Sequence, residues 1–458
     1  MGRQIQIPLA SSEVEKSVTG IESLTNIYPV KSGGGKYQFS LVNSPGMAPF
    51  ITLPITSPIK ALHLWDSRAF AVTSKKLYEI FSDGTHKELG ELTASGHVVT
   101  ANNTHQLVIV DGLRGFAYDD NTKKITELAG DGWYPARGVT QQDGYFIFDR
   151  KGTGQFFISD LLDVTFDPLN FSTAEGQPDN LVMPISDHRE LILFGTKTTE
   201  VWYNSGNADF PFERNQGAFI ERGCASPYSV KKLNNSVFFV GDDLRVYQLA
   251  GYVPQPISNK AIEQSLMNVD VSDVFAYTLH DEGSLFYVLT IPASRITWKY
   301  DITLGTWHQI KDYSFEMSRV ISSIFFGNKT LVGDFQSGNV FILTRDYLKD
   351  DRNPIVREFV LPTISNGRSF MSIYGVELDI SAGAGLNSGQ GVDPLAWMQY
   401  SKDGGKTWSN WKEAKLGKMG EYLNRVRWNR LGTARQFIIK VRISDPVKID
   451  IGGAYINV

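Results

Sequence analysis

Cysteine is nearly absent from this sequence, since Cys224 is the only one among 458 residues. A single thiol excludes an intramolecular disulfide and a thiolate metal cluster, and it fits folding in a reducing cytoplasm. We expect Cys224 to pack as a small apolar side chain.

Long apolar runs are also missing. No stretch approaches the roughly 18 apolar residues that span a bilayer, and the opening MGRQIQIPLASSEVEKS contains no continuous apolar segment after its charge. We therefore expect neither a secretion signal nor a membrane anchor.

Neither sign of charge dominates. The 45 Lys and Arg residues against 49 Asp and Glu residues give a net charge of -4, so the field of the whole protein does not attract nucleic acid or an anionic membrane. The seven histidines show no H-x-H or H-E-x-x-H spacing, and Asp119-Asp120 lacks the alternating ligands of a calcium loop. The sequence thus predicts no metal site and no cofactor.

Helical periodicity is scarce, whereas alternation of apolar and polar residues, bounded by Gly, Asp and Asn, recurs along most of the chain. The best helix candidate is Ala261–Val269, where Ile262, Leu266 and Val269 could share one face. The overall pattern is typical of an all-β protein.

The alternation is organised into units of roughly 35 to 50 residues, a length typical of four-stranded propeller blades. Each unit has an apolar strand, a second strand such as LILFG, and a closing strand-turn-strand, the last of which is expected at Asn339–Asp346. Periodicity alone admits roughly six to eight blades, and seven is the best count. The predicted unit starts are Ile59, His97, Tyr134, Val182, Tyr228, Val274 and Val320.

Both ends of the chain fall outside these units. The polar stretch Asp350–Pro354 breaks the pattern, and beyond it Phe370–Ile380, Trp397–Tyr400 and Phe437–Ile443 alternate like strands of a small β-sandwich. The predicted fold is therefore all-β, a seven-bladed β-propeller with a C-terminal β-sandwich. Its predicted parts are an N-terminal arm and ring-closing segment at 1–56, the propeller at 57–350 and the sandwich at 351–458.

SKDGGKTW, Ser401–Trp408, matches the Asp-box pattern S-x-D-x-G-x-T-W of sialidases. In such a turn Asp403 accepts backbone N–H bonds, Gly405 takes positive φ, and Trp408 covers the apolar side of the hairpin. A glycosidase needs a pair of carboxylates at a set separation, which one box does not supply. We therefore predict a structural turn formed by Ser401, Asp403, Gly405 and Trp408, and no catalytic residue.

Two further stretches suggest binding. SGGGKY, Ser32–Tyr37, departs from a Walker A loop, because Val30 occupies the place of its first Gly and Tyr37 that of its Ser or Thr, and a turn is the better interpretation. An arginine-rich run toward the C-terminus is either a solvated or carboxylate-paired face, or a contact with DNA or a neighbouring subunit. Its basic residues are Arg425, Arg427, Arg430, Arg435, Lys440 and Arg442.

Six stretches distributed over most of the chain carry a family signature. They are Leu24–Met47, Phe156–Asn180, Gly283–Ile310, Leu331–Leu343, the Asp-box hairpin and Arg427–Val447. The most specific part is Ala174–Asp179, AEGQPD, because an ordinary propeller hairpin has no reason to contain it. Together they resemble the packaged-DNA-stabilisation family of short-tailed bacteriophages, also called tail accessory or tail hub proteins.

This resemblance implies a virion protein of a phage tail, assembled in the bacterial cytoplasm. Family members look like propellers that form a ring, a hexamer, below the portal and its adaptor protein. There they extend the DNA channel, retain packaged DNA that passes without specific binding, and carry a tail fibre, spike or needle protein. The resemblance implies no enzyme activity and no membrane insertion. The alternative is a propeller glycosidase or a glycan-binding tail module.

Overall fold

The computed structural model describes residues 2–12, 21–174, 176–367 and 369–458. In these residues strands far outnumber helices, in keeping with the all-β prediction. The N-terminal segment contributes five strands, β1 (Gly2–Ile5), β2 (Ser23–Thr25), β3 (Ile27–Lys31), β4 (Phe39–Asn43) and β5 (Gly46–Thr52).

Seven antiparallel units follow, and the strands of each pair with one another in chain order. The first unit contains β6 (Ile59–Trp65), β7 (Arg68–Thr73), β8 (Lys76–Ile80) and β9 (His86–Glu91), and the second contains β10 (Val99–Asn102), β11 (Gln106–Val110), β12 (Gly115–Asp119) and β13 (Lys124–Glu127). The third contains β14 (Val139–Gln142), β15 (Tyr145–Asp149), β16 (Gln155–Ile158) and β17 (Phe171–Thr173), and the fourth contains β18 (Leu181–Asp187), β19 (Glu190–Gly195), β20 (Thr199–Asn204) and β21 (Phe212–Ile220). The fifth unit contains β22 (Lys231–Lys232), β23 (Val237–Val240), β24 (Val246–Ala250) and β25 (Val253–Pro256), and the sixth contains β26 (Phe275–Asp281), β27 (Ser284–Ile291), β28 (Ile296–Asp301) and β29 (Thr306–Ile310). The seventh contains β30 (Val320–Phe326), β31 (Lys329–Asp334) and β32 (Asn339–Thr344).

The first strands of the units lie side by side around a circle. β6 contacts β10, β10 contacts β14, β14 contacts β18, β22 contacts β26, β26 contacts β30, and β30 returns to β6. The fourth and fifth units are joined by the Lys232 ammonium, which donates to the Ser186 carbonyl over 2.7 Å. A closed circle of sheets with first strands innermost is the β-propeller arrangement.

The seventh unit takes its fourth strand from the N-terminal segment. The prediction of a closing hairpin at Asn339–Asp346 was wrong, because this stretch is a single strand, β32, whose outer edge pairs with β5. Ile51 of β5 is buried in the core that the seventh unit shares with the first. The strand that ends the last unit therefore precedes the first unit in the chain.

The helix predicted at Ala261–Val269 is present as α1 (Lys260–Leu266) and is shorter at its C-terminal end. The Asn259 side chain caps it by accepting hydrogen bonds from the amides of Ala261 and Ile262. The helix ends early because Met267 is already extended. Two 3-10 turns occur at Pro227–Ser229 and Pro292–Ser294.

The remaining strands are β33 (Lys349–Asp350), β34 (Asn353–Pro354), β35 (Arg357–Val360), β36 (Ile364–Ser365), β37 (Met371–Ile380), β38 (Leu395–Ser401), β39 (Lys412–Lys415), β40 (Val426–Ala434), β41 (Gln436–Ile443) and β42 (Asp450–Asn457). One sheet of the sandwich has the order β3-β4-β42-β37-β40, with β1 also on β42, and the other runs β2-β35-β41-β38-β39, with β36 also on β41. Apolar residues of both sheets form one core, in which Val376 and Ile439 are fully buried.

The first 56 residues are shared between propeller and sandwich. β1, β3 and β4 belong to the sandwich and β5 to the seventh unit, whereas β2 pairs with β29 on one side and with β35 on the other. This makes the sixth unit and one sandwich sheet a continuous ten-stranded sheet. Met1 and residues 13–20 lie outside the described residues.

Candidate functional site

The Asp-box turn lies between β38 and β39 and is held by bonds within the motif. The Ser401 hydroxyl donates to Asp403 Oδ1 over 2.7 Å and accepts from the Gly405 amide over 2.9 Å. The Thr407 amide and hydroxyl donate to Asp403 Oδ1 and Oδ2 over 2.9 and 2.6 Å. Gly404 and Gly405 both have positive φ, 79° and 89°. Both carboxylate oxygens of Asp403 are thus engaged in shaping the chain.

The electrostatics of this turn favour a fixed anion over a proton donor. Hydrogen bonds from Thr407 and Ser401 hold the pKa of Asp403 well below its usual range. The general acid of a glycosidase instead needs a raised pKa. Trp408 is partly buried, and the Lys440 ammonium lies 4.6 Å from the centre of its ring.

Half of the basic residues in the run are paired with carboxylates. Arg425 forms a two-bond contact with Glu377, at 2.8 and 2.5 Å, and both Lys440 and Arg442 contact Glu358. Arg435 lies over the ring of Phe370. Arg427 and Arg430 form no ion pair within the described part of the chain. This pairing favours the carboxylate-paired interpretation for three of the six basic residues, Arg425, Lys440 and Arg442.

SGGGKY is the turn between β3 and β4. Gly34 and Gly35 have positive φ, and the Lys36 ammonium pairs with Asp379 on β37 of the same sheet. The Tyr37 hydroxyl donates to the same carboxylate. The loop therefore connects the β3–β4 turn to β37 through side chains.

The segment Ala174–Asp179 links the third and fourth units. Asp179 Oδ2 accepts hydrogen bonds from the amides of Lys197 and Thr198 over 2.7 and 2.9 Å. The Gly176 amide donates to Glu200 over 2.5 Å. Glu175 lies outside the described residues. The segment thus caps the turn between β19 and β20.

A repeated aspartate, which the sequence reasoning missed, lies at the end of the second strand of four units or one to two residues beyond it. Each carboxylate binds backbone amides near its own unit's turn or first strand: Asp111, Asp149, Asp242 and Asp334. In three units an arginine ahead of the first strand approaches the same aspartate: Arg137–Asp149 at 3.6 Å, Arg222–Asp242 at 2.8 Å and Arg319–Asp334 at 2.5 Å. The available signal was Asp directly after an apolar run, as in LVIVDG and YFIFDR.

One residue from each of two pairs, Arg137 and Asp242, lines a cavity of about 450 Å³, together with Lys197 and Asp273. Burial raises the pKa of Asp149 to about 6, and hydrogen bonds from the Gly138 and Arg137 amides oppose this. The cavity wall thus combines side chains of both charges with apolar ones such as Val182 and Pro227.

The other candidate residues from the sequence lie in environments that favour a structural role. Burial raises the pKa of Cys224 to about 12, which leaves a protonated and inert thiol. In the described ranges no group of three or more His, Cys, Asp or Glu side chains is placed to hold a metal ion. Nor does that part of the chain contain a helix long and apolar enough to cross a membrane.

Comparison with known proteins assigns the propeller part and the sandwich part of the chain to the same family. A family model described as the β-propeller of bacteriophage P22 Gp10 matches residues 5–347, and one described as its β-sandwich matches residues 356–458. The chain belongs to the phage P22 gp10 family. The tail hub protein gp10 of Salmonella phage P22 is 23% identical over 423 residues, which cover 85% of this chain and 84% of that protein.

Membership of this family confirms the propeller with a C-terminal sandwich and identifies a structural protein of a phage tail that is not an enzyme. Among solved structures, the designed Ika8 protein gives a TM-score of 0.40 at 12% identity and covers 65% of this chain and 99% of its own. The extracellular domain of BT4673 from B. thetaiotaomicron gives 0.45 at 8%, with 73% and 43% covered. The family assignment rests on the family models and the phage relative.

Proposed function

We propose that this tail protein forms a hexameric ring below the portal and its adaptor. In this position it extends the DNA channel, retains the packaged genome and anchors a tail fibre, spike or needle protein. The observation that carries the proposal is the match of both family models, which together extend over nearly the whole chain. Assembly in the bacterial cytoplasm and passage of DNA without specific binding are part of the proposal, and the net charge of -4 is compatible with the latter.

We propose that the seven units are the seven propeller blades, and that parts 1–56, 57–350 and 351–458 have distinct roles. The pairing of the N-terminal part supports its role in coupling the other two, because β2 pairs with β29 of the propeller and with β35 of the sandwich, and β5 pairs with β32. The Asp-box turn formed by Ser401, Asp403, Gly405 and Trp408 is structural in this proposal, since both carboxylate oxygens of Asp403 accept hydrogen bonds from within the turn.

A ring requires two different surfaces on each subunit, because its contacts are head-to-tail. Two separate groups of exposed apolar side chains are available. The sandwich-loop patch has Met419, Tyr422 and Leu423 between β39 and β40, exposed by 53, 74 and 96%. The third-unit patch has Leu161 and Leu169 between β16 and β17, exposed by 56 and 80%. We propose that these patches meet between neighbouring subunits.

The test measures the mass of the purified chain, alone and with its adaptor, by native mass spectrometry. Negative-stain imaging of the same two samples shows the symmetry of any ring. We expect sixfold rings, and we expect Leu423→Glu to reduce ring formation because it places a charge in an apolar contact. Leu113→Glu is the matched control, since Leu113 is also exposed, by 61%, but belongs to neither patch. Monomers under both conditions, or rings of another order, would contradict the hexamer.

A further inference from the structure

A second cavity lies at the centre of the circle of first strands. Its volume is about 180 Å³, and residues of β6, β10, β22, β26 and β30 contribute to its wall. The side chains on which the following argument depends are Lys60, His97, Tyr228, Lys231 and Phe275. We call this space the central cavity.

The charged groups of the central cavity are all basic. Lys60, Lys231 and His97 line it, and no Asp or Glu is among the lining residues. Neither ammonium forms an ion pair or a side-chain hydrogen bond within the described residues. The nearest influence of opposite sign on His97 is Asp273, which lines the other cavity. Two lysine side chains therefore line the same partly open cavity without an acidic side chain in its wall.

The imidazole between them is held in place by aromatic rings. The His97 ring centre lies 4.4 Å from that of Tyr228 and 5.3 Å from that of Phe275. Burial, with the charges of Lys60 and Lys231, lowers the pKa of His97 and outweighs Asp273. A hydrogen bond to the Asp273 backbone occupies one ring N–H of His97. The other ring nitrogen therefore donates to a ligand only when the imidazole is protonated, a state that a bound anion favours.

Lys231 is only partly exposed, and its charge is costly in this position when the cavity holds only water. Burial lowers the pKa of Lys231 to about 8, and no neighbouring carboxylate opposes this. A desolvated ammonium is stabilised by an anion that accepts its hydrogen bonds. Because a water molecule takes up about 30 Å³ of liquid, the central cavity is large enough for one small anion with several waters.

We propose that the central cavity binds a small oxyanion, a phosphate or a carboxylate, between Lys60, Lys231 and His97. The cavity is too small for any length of duplex DNA, so its ligand is a single group. That group is either a free anion or the carboxylate of an acidic side chain on another protein. This inference is independent of the proposed ring and holds for the monomer as well.

The experiment follows thermal unfolding of the full chain while inorganic phosphate replaces chloride at constant ionic strength. We expect the midpoint to rise and to saturate, because a ligand that binds only the folded state stabilises it by mass action. Lys231→Met and Lys60→Met should each weaken binding by about tenfold to a hundredfold, the loss of one charge-assisted hydrogen bond. Lys124→Met is the control, since Lys124 is exposed and does not line the cavity.

A second readout separates ligand binding from a merely structural role of Lys231. Without phosphate, Lys231→Met should unfold at a higher temperature than the natural protein, because it removes an uncompensated charge. A linear, non-saturating rise that persists in Lys231→Met would be the general salting effect of phosphate and would overturn the proposal. Should Lys231→Met not fold, ³¹P NMR titration of the natural protein and Lys60→Met gives the same decision.

A short glutamate peptide, titrated in the same way, distinguishes the two sources of the anion. Saturation by phosphate alone supports a free anion, and saturation by the peptide supports docking of an acidic side chain. Failure of both probes to produce a saturating response in the natural protein would overturn the oxyanion site. Neither result depends on ring formation.

Discussion

His308 is the most unusual titratable residue in the described part of the chain. Its ring is only 1% exposed, and neither ring nitrogen has a hydrogen-bond partner. It stacks on Tyr28 with ring centres 5.3 Å apart, and Lys299 is its direct partner across β28 and β29. Burial first, and the charge of Lys299 second, lower the pKa of His308 well below its usual range. The imidazole is therefore kept neutral in the folded protein.

The stability of the protein should fall as pH falls through the ordinary histidine pKa, because only the unfolded chain then protonates residue 308. For this one group we expect a loss of about 1.4 kcal/mol between pH 7.5 and 5.5, taking an unfolded pKa near 6.5. His308→Phe should flatten the dependence by that amount in urea unfolding measured at both pH values.

The control for this prediction is His188→Asn. The His188 side chain is 60% exposed, and Asn tolerates its positive φ of 48°. We expect this variant to keep the pH dependence of the natural protein. An unchanged pH dependence in His308→Phe would show that the His308 imidazole titrates in the folded protein as it does in the unfolded chain.

Residue-level features differ in how far the sequence can predict them. All the bonds around Asp403 connect residues of one short motif, so the pattern contains them. The environment of His308 depends on Tyr28, 280 positions earlier in the chain, and nothing in the local pattern specifies it. The lysines of the central cavity are likewise brought together from separate units. In each case the sequence shows the ionisable residue, but for His308 and the lysines it does not show which residues surround it.

At the level of elements, β5 closes the circle of units by completing the seventh sheet. Its pairing runs from Gly46↔Thr344 to Thr52↔Asn339, with a bulge beside Phe341. The strand joins residues nearly 300 positions apart, which adds a non-local contact at the point where the circle must shut. The sheet edge of the seventh unit is also covered in this way.

Ile51→Ala should destabilise the protein by about 2 to 5 kcal/mol, because it leaves a cavity where the seventh and first units share a core. Thr52→Ala on the same strand is the control, since Thr52 is exposed, and its effect should stay within about 0.5 kcal/mol. The measurement is guanidinium unfolding followed by tryptophan fluorescence. Equal stability of the two variants would mean that β5 contributes little to closure.

Alternation predicted where strands lie better than it predicted what they pair with. The third strand of the last unit was placed correctly at Asn339, but its partner was sought in the following residues and came from the N-terminal segment. β2 is only three residues long, so it offered no period to detect. Short strands whose pairing is long-range are specified by tertiary contacts and not by local propensity.

For the whole molecule, the important feature is the continuity between propeller and sandwich. β2 lies between β29 and β35, and Asn26, at its end, is 2% exposed with a positive φ of 56°. Its side-chain amide donates to the carbonyls of Lys311 and Val356 over 2.8 and 2.9 Å, and its oxygen accepts from the Lys311 amide over 2.9 Å. One side chain thus bonds both parts of the chain.

This arrangement predicts that propeller and sandwich unfold together. Asn26→Gly keeps the left-handed backbone accessible but removes three hydrogen bonds, those to the carbonyls of Lys311 and Val356 and that from the Lys311 amide. We expect this loss to cost about 2 to 4 kcal/mol. We expect a single calorimetric transition in the natural protein and two separate transitions in Asn26→Gly. Asn328→Gly is the control, because Asn328 has a similar φ of 59° and is exposed, and it should keep the single transition. Two transitions already in the natural protein would show that the continuous sheet does not couple the two parts, whatever its hydrogen bonds.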